Sequence, residues 1–253
     1  TGAGGLRKQG GGEVWLTGTN DFAGALQMNA GTLRLLSNGT VTAASDLRME
    51  GGTLIIDNTR GNLADRLPDT ANIVGWGGQI SLIGTNSTLT SERIGAVRAE
   101  RGTMTIYMDI PGALGTTGYL YMAGISQEQG MINFTHSNVG TYWLGLNPSN
   151  EVGPHIFIDG LADGATIPYA TINGAGFARY STARGVYAPL TIEEFNGAVD
   201  QTGLETRFSY DRLGGSDALT APRAINTIVV SNQTDSFIDL AGNSLTLSGG
   251  GYR

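Results

Sequence analysis

The chain has 253 residues, a formal net charge of −7, 40 glycines against 7 prolines, and no cysteine. That length suits one large β domain or two small ones, and the acidic balance argues against nucleic acid, whose phosphates need a cationic footprint. Disulfides and thiolate metal sites are excluded, and so is collagen, because no Gly-X-Y period exists.

Hydrophobic residues make up 40% and charged residues 15%, so there is apolar area to bury in a folded core. No stretch approaches the ~20 apolar residues that a bilayer-spanning helix needs. Glycine therefore reads as punctuation, taking φ > 0 at turns without steric cost.

In chain order, residues 1–58 carry the densest pattern. Val14-Trp15-Leu16-Thr17, Leu26-Gln27-Met28, Leu33-Arg34-Leu35, Leu47-Arg48-Met49 and Leu54-Ile55-Ile56 read as short strands bounded by Gly, Asn or Asp. A refrain links them: Asn29-Ala30-Gly31-Thr32-Leu33-Arg34-Leu35 returns as Glu50-Gly51-Gly52-Thr53-Leu54-Ile55-Ile56, then more weakly at Gly77-Gly78-Gln79-Ile80 and Arg101-Gly102-Thr103-Met104. The copies stand about 20 to 25 residues apart, a period typical of solenoids and arrays. Strands this short are not stable as isolated hairpins.

Residues 59–70 form a polar excursion that suits a loop or a single helical turn. Strand signals resume at Ile73-Val74, Ile80 to Ile83, Ile94 to Val97 and Met104 to Met108. Aromatic-rich strands follow at Tyr119 to Met122, Met131 to Phe134, Tyr142 to Leu144 and His155 to Ile158. Residues 172–220 are the least regular, with Thr191 to Gly197 expected as one short helix between an N-cap and a closing glycine. Strands return at Ile225 to Val230, Phe237 to Leu240 and Ser244 to Leu247.

The expected fold is all-β: a right-handed parallel β-helix (β-solenoid) with loop excursions. It forms one continuous segment over residues 1–253, most regular in 1–58, less regular in 109–220, and returning to pattern in 221–253. A 20-residue unit would give about a dozen stacked coils, a rod of roughly 55–60 Å at ~4.8 Å per strand spacing. Thr1-Gly2-Ala3-Gly4-Gly5 carries neither an initiator Met nor the basic and apolar regions of a signal peptide. The C-terminal Leu245 to Arg253 stops after a strand and turn without a cap. These ends lead to the expectation that the chain is a piece of a longer protein.

The opening stretch supports a more specific reading. Gly4-Gly5-Leu6-Arg7-Lys8-Gln9-Gly10-Gly11-Gly12-Glu13-Val14-Trp15-Leu16-Thr17-Gly18-Thr19-Asn20-Asp21-Phe22-Ala23-Gly24 leads into Met28-Asn29-Ala30-Gly31-Thr32-Leu33. It resembles the autotransporter-associated β-strand repeat, Gly-Leu-x-Lys-x-Gly-x-Gly-x-Leu-x-Leu-x-Gly-x-Asn-x-Tyr-x-Gly, departing at Val14, Phe22 and Met28. Segments such as Ile56-Asp57-Asn58, Ser91-Glu92-Arg93-Ile94-Gly95, Ile167 to Gly174 and Asp239 to Leu247 are similar to recurring elements of very large repeat-bearing bacterial surface proteins.

The resemblance implies export to the extracellular bacterial cell surface and a structural or adhesive role as a spacer, adhesin or filament unit. Expected partners are neighbouring solenoid segments of the same protein, further copies stacked end to end, and surface glycans or host-surface molecules. Nucleic acid and membrane insertion by this segment are not expected.

No catalytic, cofactor-binding or metal-binding residue is assigned, and the chain is read as a non-enzyme. A β-helical carbohydrate-active enzyme would need clustered outward carboxylates. The candidates, Asp57, Asp65 and Asp69 with Glu193 and Glu194, read as solvated loop charges. His136, placed in a turn, and His155, opening a strand, have no companion at metal-ligand spacing. Tyr119, Tyr121, Tyr142 and Trp143 are the candidate glycan contacts, since alternation puts Tyr119 and Tyr121 on one face; packing in the core or under a loop is the competing reading. Trp15 and Trp76 read as packing residues.

Overall fold

The computed structural model describes residues 2–85, 88–110, 116–137, 152–174, 176–188, 205–208, 217–225, 227–230 and 238–247. Among them the chain is all-β, without a helix. The strands are β1 (Leu6–Lys8), β2 (Glu13–Leu16), β3 (Leu26–Met28), β4 (Thr32–Leu35), β5 (Asp46–Met49), β6 (Thr53–Asp57), β7 (Asn72–Gly75) and β8 (Gln79–Ile83). Then follow β9 (Thr90–Ile94), β10 (Val97–Ala99), β11 (Thr103–Asp109), β12 (Thr117–Met122), β13 (Ile125–Gln127), β14 (Met131–His136), β15 (Gly153–Ile158), β16 (Thr166–Ile172), β17 (Gly176–Ser181) and β18 (Gly185–Tyr187). Beyond these lie β19 (Glu205–Phe208), β20 (Asp217–Ala218), β21 (Arg223–Ile225), β22 (Thr227–Val230), β23 (Ile238–Asp239) and β24 (Leu245–Leu247).

Strands from successive sequence units pair side by side and parallel. One sheet runs β1-β3-β5-β7-β10-β13, a second carries β2-β4-β6-β8-β11-β14-β16, and a third holds β9-β12-β15. The register aligns like with like. Val14, Leu33, Leu54, Ile80, Ile106, Phe134 and Ile172 form one column of the second sheet. Leu6, Leu26, Leu47, Ile73, Val97 and Ile125 form the matching column of the first. Residues one step along each strand face the other way, and there the column reads Trp15, Arg34, Ile55, Ser81, Tyr107 and Thr135.

Leu33, Leu54, Ile80, Ile106 and Phe134 are all buried, as are Leu26, Leu47, Ile73 and Val97. Period-2 alternation thus drives one face of β3 to β8 and of β10, β11 and β14 into a single apolar core, each such side chain contributing about 1.5–3 kcal/mol.

The refrain has a backbone cause. Gly31, Gly52, Gly78 and Gly102 hold φ of 69°, 70°, 78° and 62° just ahead of their strands. Their carbonyls accept from the amides of Thr53, Gln79, Thr105 and Met131 in the next unit, at 2.8, 2.9, 2.9 and 2.7 Å. A Cβ on Gly52 would stand 2.6 Å from the Gly31 carbonyl oxygen. Both the left-handed conformation and this close stacking of one turn on the last exclude a side chain.

The unit lengthens along the chain, from 20 residues between Leu6 and Leu26 to 28 between Val97 and Ile125. Fewer layers are therefore built than a 20-residue unit would give. The added residues make a third side, which in the first units is only an isolated bridge between Thr19 and Thr40 and from β9 onward is a strand.

Several expectations are corrected. The strand predicted over Ile94 to Val97 is a break, because β9 ends at Ile94 and β10 starts at Val97. Gly95 marks the corner; its Cβ would meet the Ala71 carbonyl oxygen at 1.9 Å. Of the two forms expected for residues 59–70 the structure shows the loop, built of turns and bends, and not the helical turn. His136 is no turn residue: it ends β14, buried, beneath the column of Leu82 and Met108. Parallel pairing is also interrupted after β16, since β16-β17 and β17-β18 are antiparallel, and it resumes in the two-stranded pairs β19-β22, β20-β23 and β21-β24. Asn173 and Gly174 supply the hairpin with φ of 52° and 67°, the conformation that β-hairpin turns favour. Within β16 the register shifts between Ile167 and Thr171, the interval containing Pro168, which has no amide to donate. The expected helix at 191–197 lies outside the described residues.

Candidate functional site

Three outward or polar features arise from this frame. The first is the aromatic cluster on the third sheet. Register places Ser91, Tyr119 and His155 in one column and Arg93, Tyr121 and Phe157 in another, while Glu92, Leu120 and Ile156 face inward. Tyr119 and Tyr121 are half-buried, with ring centroids 6.0 Å apart, and Tyr121 stacks on Phe157 at 5.7 Å. His155 is buried, stacks on Phe157, and its Nδ1 lies 3.0 Å from the Arg184 carbonyl. Arg93 pairs with Asp159 at the edge. Tyr119 and Tyr121 thus share a face, as the alternation predicts, and pack against the aromatic residues of β15. Tyr142 and Trp143 lie outside the described residues.

The second feature is a buried polar corner. Arg66 is fully buried. Its guanidinium donates to Asn58 Oδ1 at 2.7 Å and to the carbonyls of Gly39, Ser37 and Gly61 at 2.7, 3.0 and 2.5 Å. Glu92, inward on β9 and 1% exposed, accepts from the backbone amides of Arg66 and Leu67 at 3.0 and 2.9 Å. Burial drives the Glu92 carboxyl up to about 8, outweighing those two amides. The polar excursion is thereby fastened to β9 by side chains where strand pairing is missing.

The candidate carboxylates separate. Burial opposes ionisation of Asp57, but the Thr59 hydroxyl and amide together with Arg34 outweigh it and hold the carboxyl below its ordinary value. Asp57 bonds Arg34 at 2.7 Å and Thr59 at 2.6 Å. Asp65 and Asp69 are exposed, and partial burial followed by Asp69 raises the Asp65 carboxyl. Glu193 and Glu194 lie outside the described residues. Among the described residues no group of three or more His, Asp or Glu is placed to hold a metal ion, and no helix is long and apolar enough to cross a membrane.

The third feature is one that sequence reading missed. Trp15 and Trp76, expected to pack inside, are 57% and 38% exposed. Trp76 follows β7 and lines a groove of about 160 Å³ with Arg48, Glu50, Val74, Arg98 and Glu100. The register explains the groove: Arg48, Val74 and Arg98 are neighbours in one outward column, so a short apolar side chain sits between two long cationic ones. Trp76 Nε1 donates to Glu100 at 2.5 Å, and the Arg101 guanidinium lies 3.9 Å above the indole. Alternation around Gly75, whose own side-chain position faces Met104 of the core, was the available signal that Val74 and Trp76 face outward.

Comparison with protein-family models, with curated proteins and with solved structures found no match to this chain.

Proposed function

We propose that the chain is a right-handed parallel β-helical segment of a large exported bacterial surface protein of the autotransporter-associated β-strand repeat type, working as a stiff spacer or fibre unit. The observation that carries this reading is the unbroken column Val14-Leu33-Leu54-Ile80-Ile106-Phe134, in which each unit pairs parallel and in register with the next. A connection returning to a parallel neighbour in the same sheet is right-handed in nearly all proteins, which favours that hand. Backbone hydrogen bonds running from layer to layer resist bending and leave few free strand edges along the sides. The role is mechanical: the rod holds a fixed distance between whatever flanks it, and further copies stacking end to end would extend it.

Small-angle X-ray scattering of the intact chain tests the reading. An elongated profile with a constant cross-section is expected, and a profile of a sphere-like particle would overturn it. A second reading, a glycan-binding module, is favoured by the shared face of Tyr119 and Tyr121. Loss of glycan-array binding in Tyr121→Ala with the fold intact would support it, and an array without any binding would end it.

A further inference from the structure

We propose that the groove at Trp76 is a binding site for one unit of a neutral saccharide. This site is separate from the aromatic cluster of β12 and β15 and does not depend on the spacer reading. Its floor is Val74 and its walls are Arg48 and Arg98, two strand spacings or about 9.6 Å apart. The volume of about 160 Å³ suits a single sugar ring and lies below the ~300 Å³ where pockets for drug-sized ligands begin.

The lining chemistry narrows the ligand. Arg98 is already neutralised by Glu100 and by Glu128, the latter at 2.7 Å. Glu50 is held by the amides of Gln27 and Asn29, both at 2.5 Å. Arg48 bonds Asp46 through Nε alone, at 2.8 Å, which leaves its two terminal nitrogens to donate to ligand oxygens. With two arginines against two glutamates the lining balances in charge, so it offers no net attraction to a phosphate or a polyuronate. A neutral ring with hydroxyls to accept and donate, and a C–H face to lie on apolar surface, satisfies every part.

Trp76 supplies that surface. Arg101 lies over one face of the indole and does not line the groove, while Trp76 keeps 38% of its surface exposed, and that exposed surface serves the ligand. The electron-rich face of an aromatic ring attracts polarised C–H bonds. The hydrogen bond to Glu100 and the stacked guanidinium fix the indole before any ligand arrives, which lowers the ordering cost of binding.

Calorimetric titration of the full chain with cellohexaose, maltohexaose and hexagalacturonate tests the proposal. Saturable submillimolar binding of a neutral hexamer is expected, weakened at least tenfold in both Trp76→Ala and Arg48→Ala. Trp15→Ala should bind as the parent does, and it and the two groove variants should keep the parent's Tm, while Tyr121→Ala reports on the aromatic cluster of the third sheet. Because Trp76 and Arg48 lie on the outer face, their loss leaves the core columns intact. Binding of the acidic hexamer alone, binding unchanged in Trp76→Ala, loss confined to Tyr121→Ala, or no binding of either neutral hexamer would each overturn the assignment.

Discussion

The glycine-turned layers of β3 to β8 and the corner at Arg66 and Glu92 solve the same problem by opposite means. Each must bring the chain around and stack it on the previous unit without stranding backbone groups. At Gly31, Gly52 and Gly78 the backbone does this alone, with positive φ and a carbonyl-to-amide bond to the next unit. At the corner the chain leaves the strand pattern, and a buried guanidinium and a buried carboxyl take over the missing partners. The first solution tolerates no side chain; the second depends on two particular ones. A repeat can therefore be lengthened wherever buried polar side chains replace the ladder, and this is where the unit grows beyond its first 20 residues.

That contrast can be broken most severely at Arg66. Arg66→Ala strands three carbonyls and the Asn58 side-chain oxygen while leaving the backbone amides that bond Glu92 in place, so a loss of about 3–5 kcal/mol is expected from urea denaturation, as several buried acceptors lose their donor together. A core column is the next most sensitive place, with Ile80→Ala expected to cost about 2–4 kcal/mol through lost burial and a residual cavity. A cost below 1 kcal/mol would show that the column is not continuous there. Gly52→Ala should cost about 1–3 kcal/mol for the left-handed backbone, plus the displacement of the Gly31 carbonyl. Trp15→Ala, on the outer face, should stay within about 0.5 kcal/mol.

Glu92 sharpens the contrast through pH. Its folded value of about 8 lies above the ~4.3 of an unfolded glutamate, so folding favours the protonated acid. The stability it confers is fully present below about pH 4 and is lost as pH rises through about 8. Glu92→Gln keeps the acceptor for the amides of Arg66 and Leu67 and removes the ionisation. Denaturation near pH 5 and pH 9 should show the variant gaining on the parent at the higher value. An equal difference at both pH values would contradict the buried acid.

The regular part of the fold was legible because its signals are local. Leu33, Leu54 and Ile80 alternate with polar residues after a glycine, and each became an inward position of a parallel strand. Ile94 to Val97 misled because the apolar residues span a corner at Gly95, where the side of the core being filled changes. The antiparallel turn was also written in Asn173-Gly174, a hairpin signal that the surrounding parallel pattern obscured. Trp76 misled because size was read as burial, whereas position fixed its direction: Gly75 faces the crowded core at Met104, so its neighbours face out. Neither the Arg66 corner nor the groove was legible, since both depend on residues from three separate units.

The central claim, that successive units stack in register, is most directly tested by a distance. The chain has no cysteine, so a pair introduced at Arg7 and Ser126 can carry spin labels uniquely. Both positions lie in one outward column of the first sheet, five strand steps apart, or about 24 Å between backbones at ~4.8 Å per step. Pulsed electron–electron double resonance should give a single narrow distance near that value, widened only by the label arms. A broad distribution, or a distance nearer 40 Å, would contradict parallel stacking across residues 6–127.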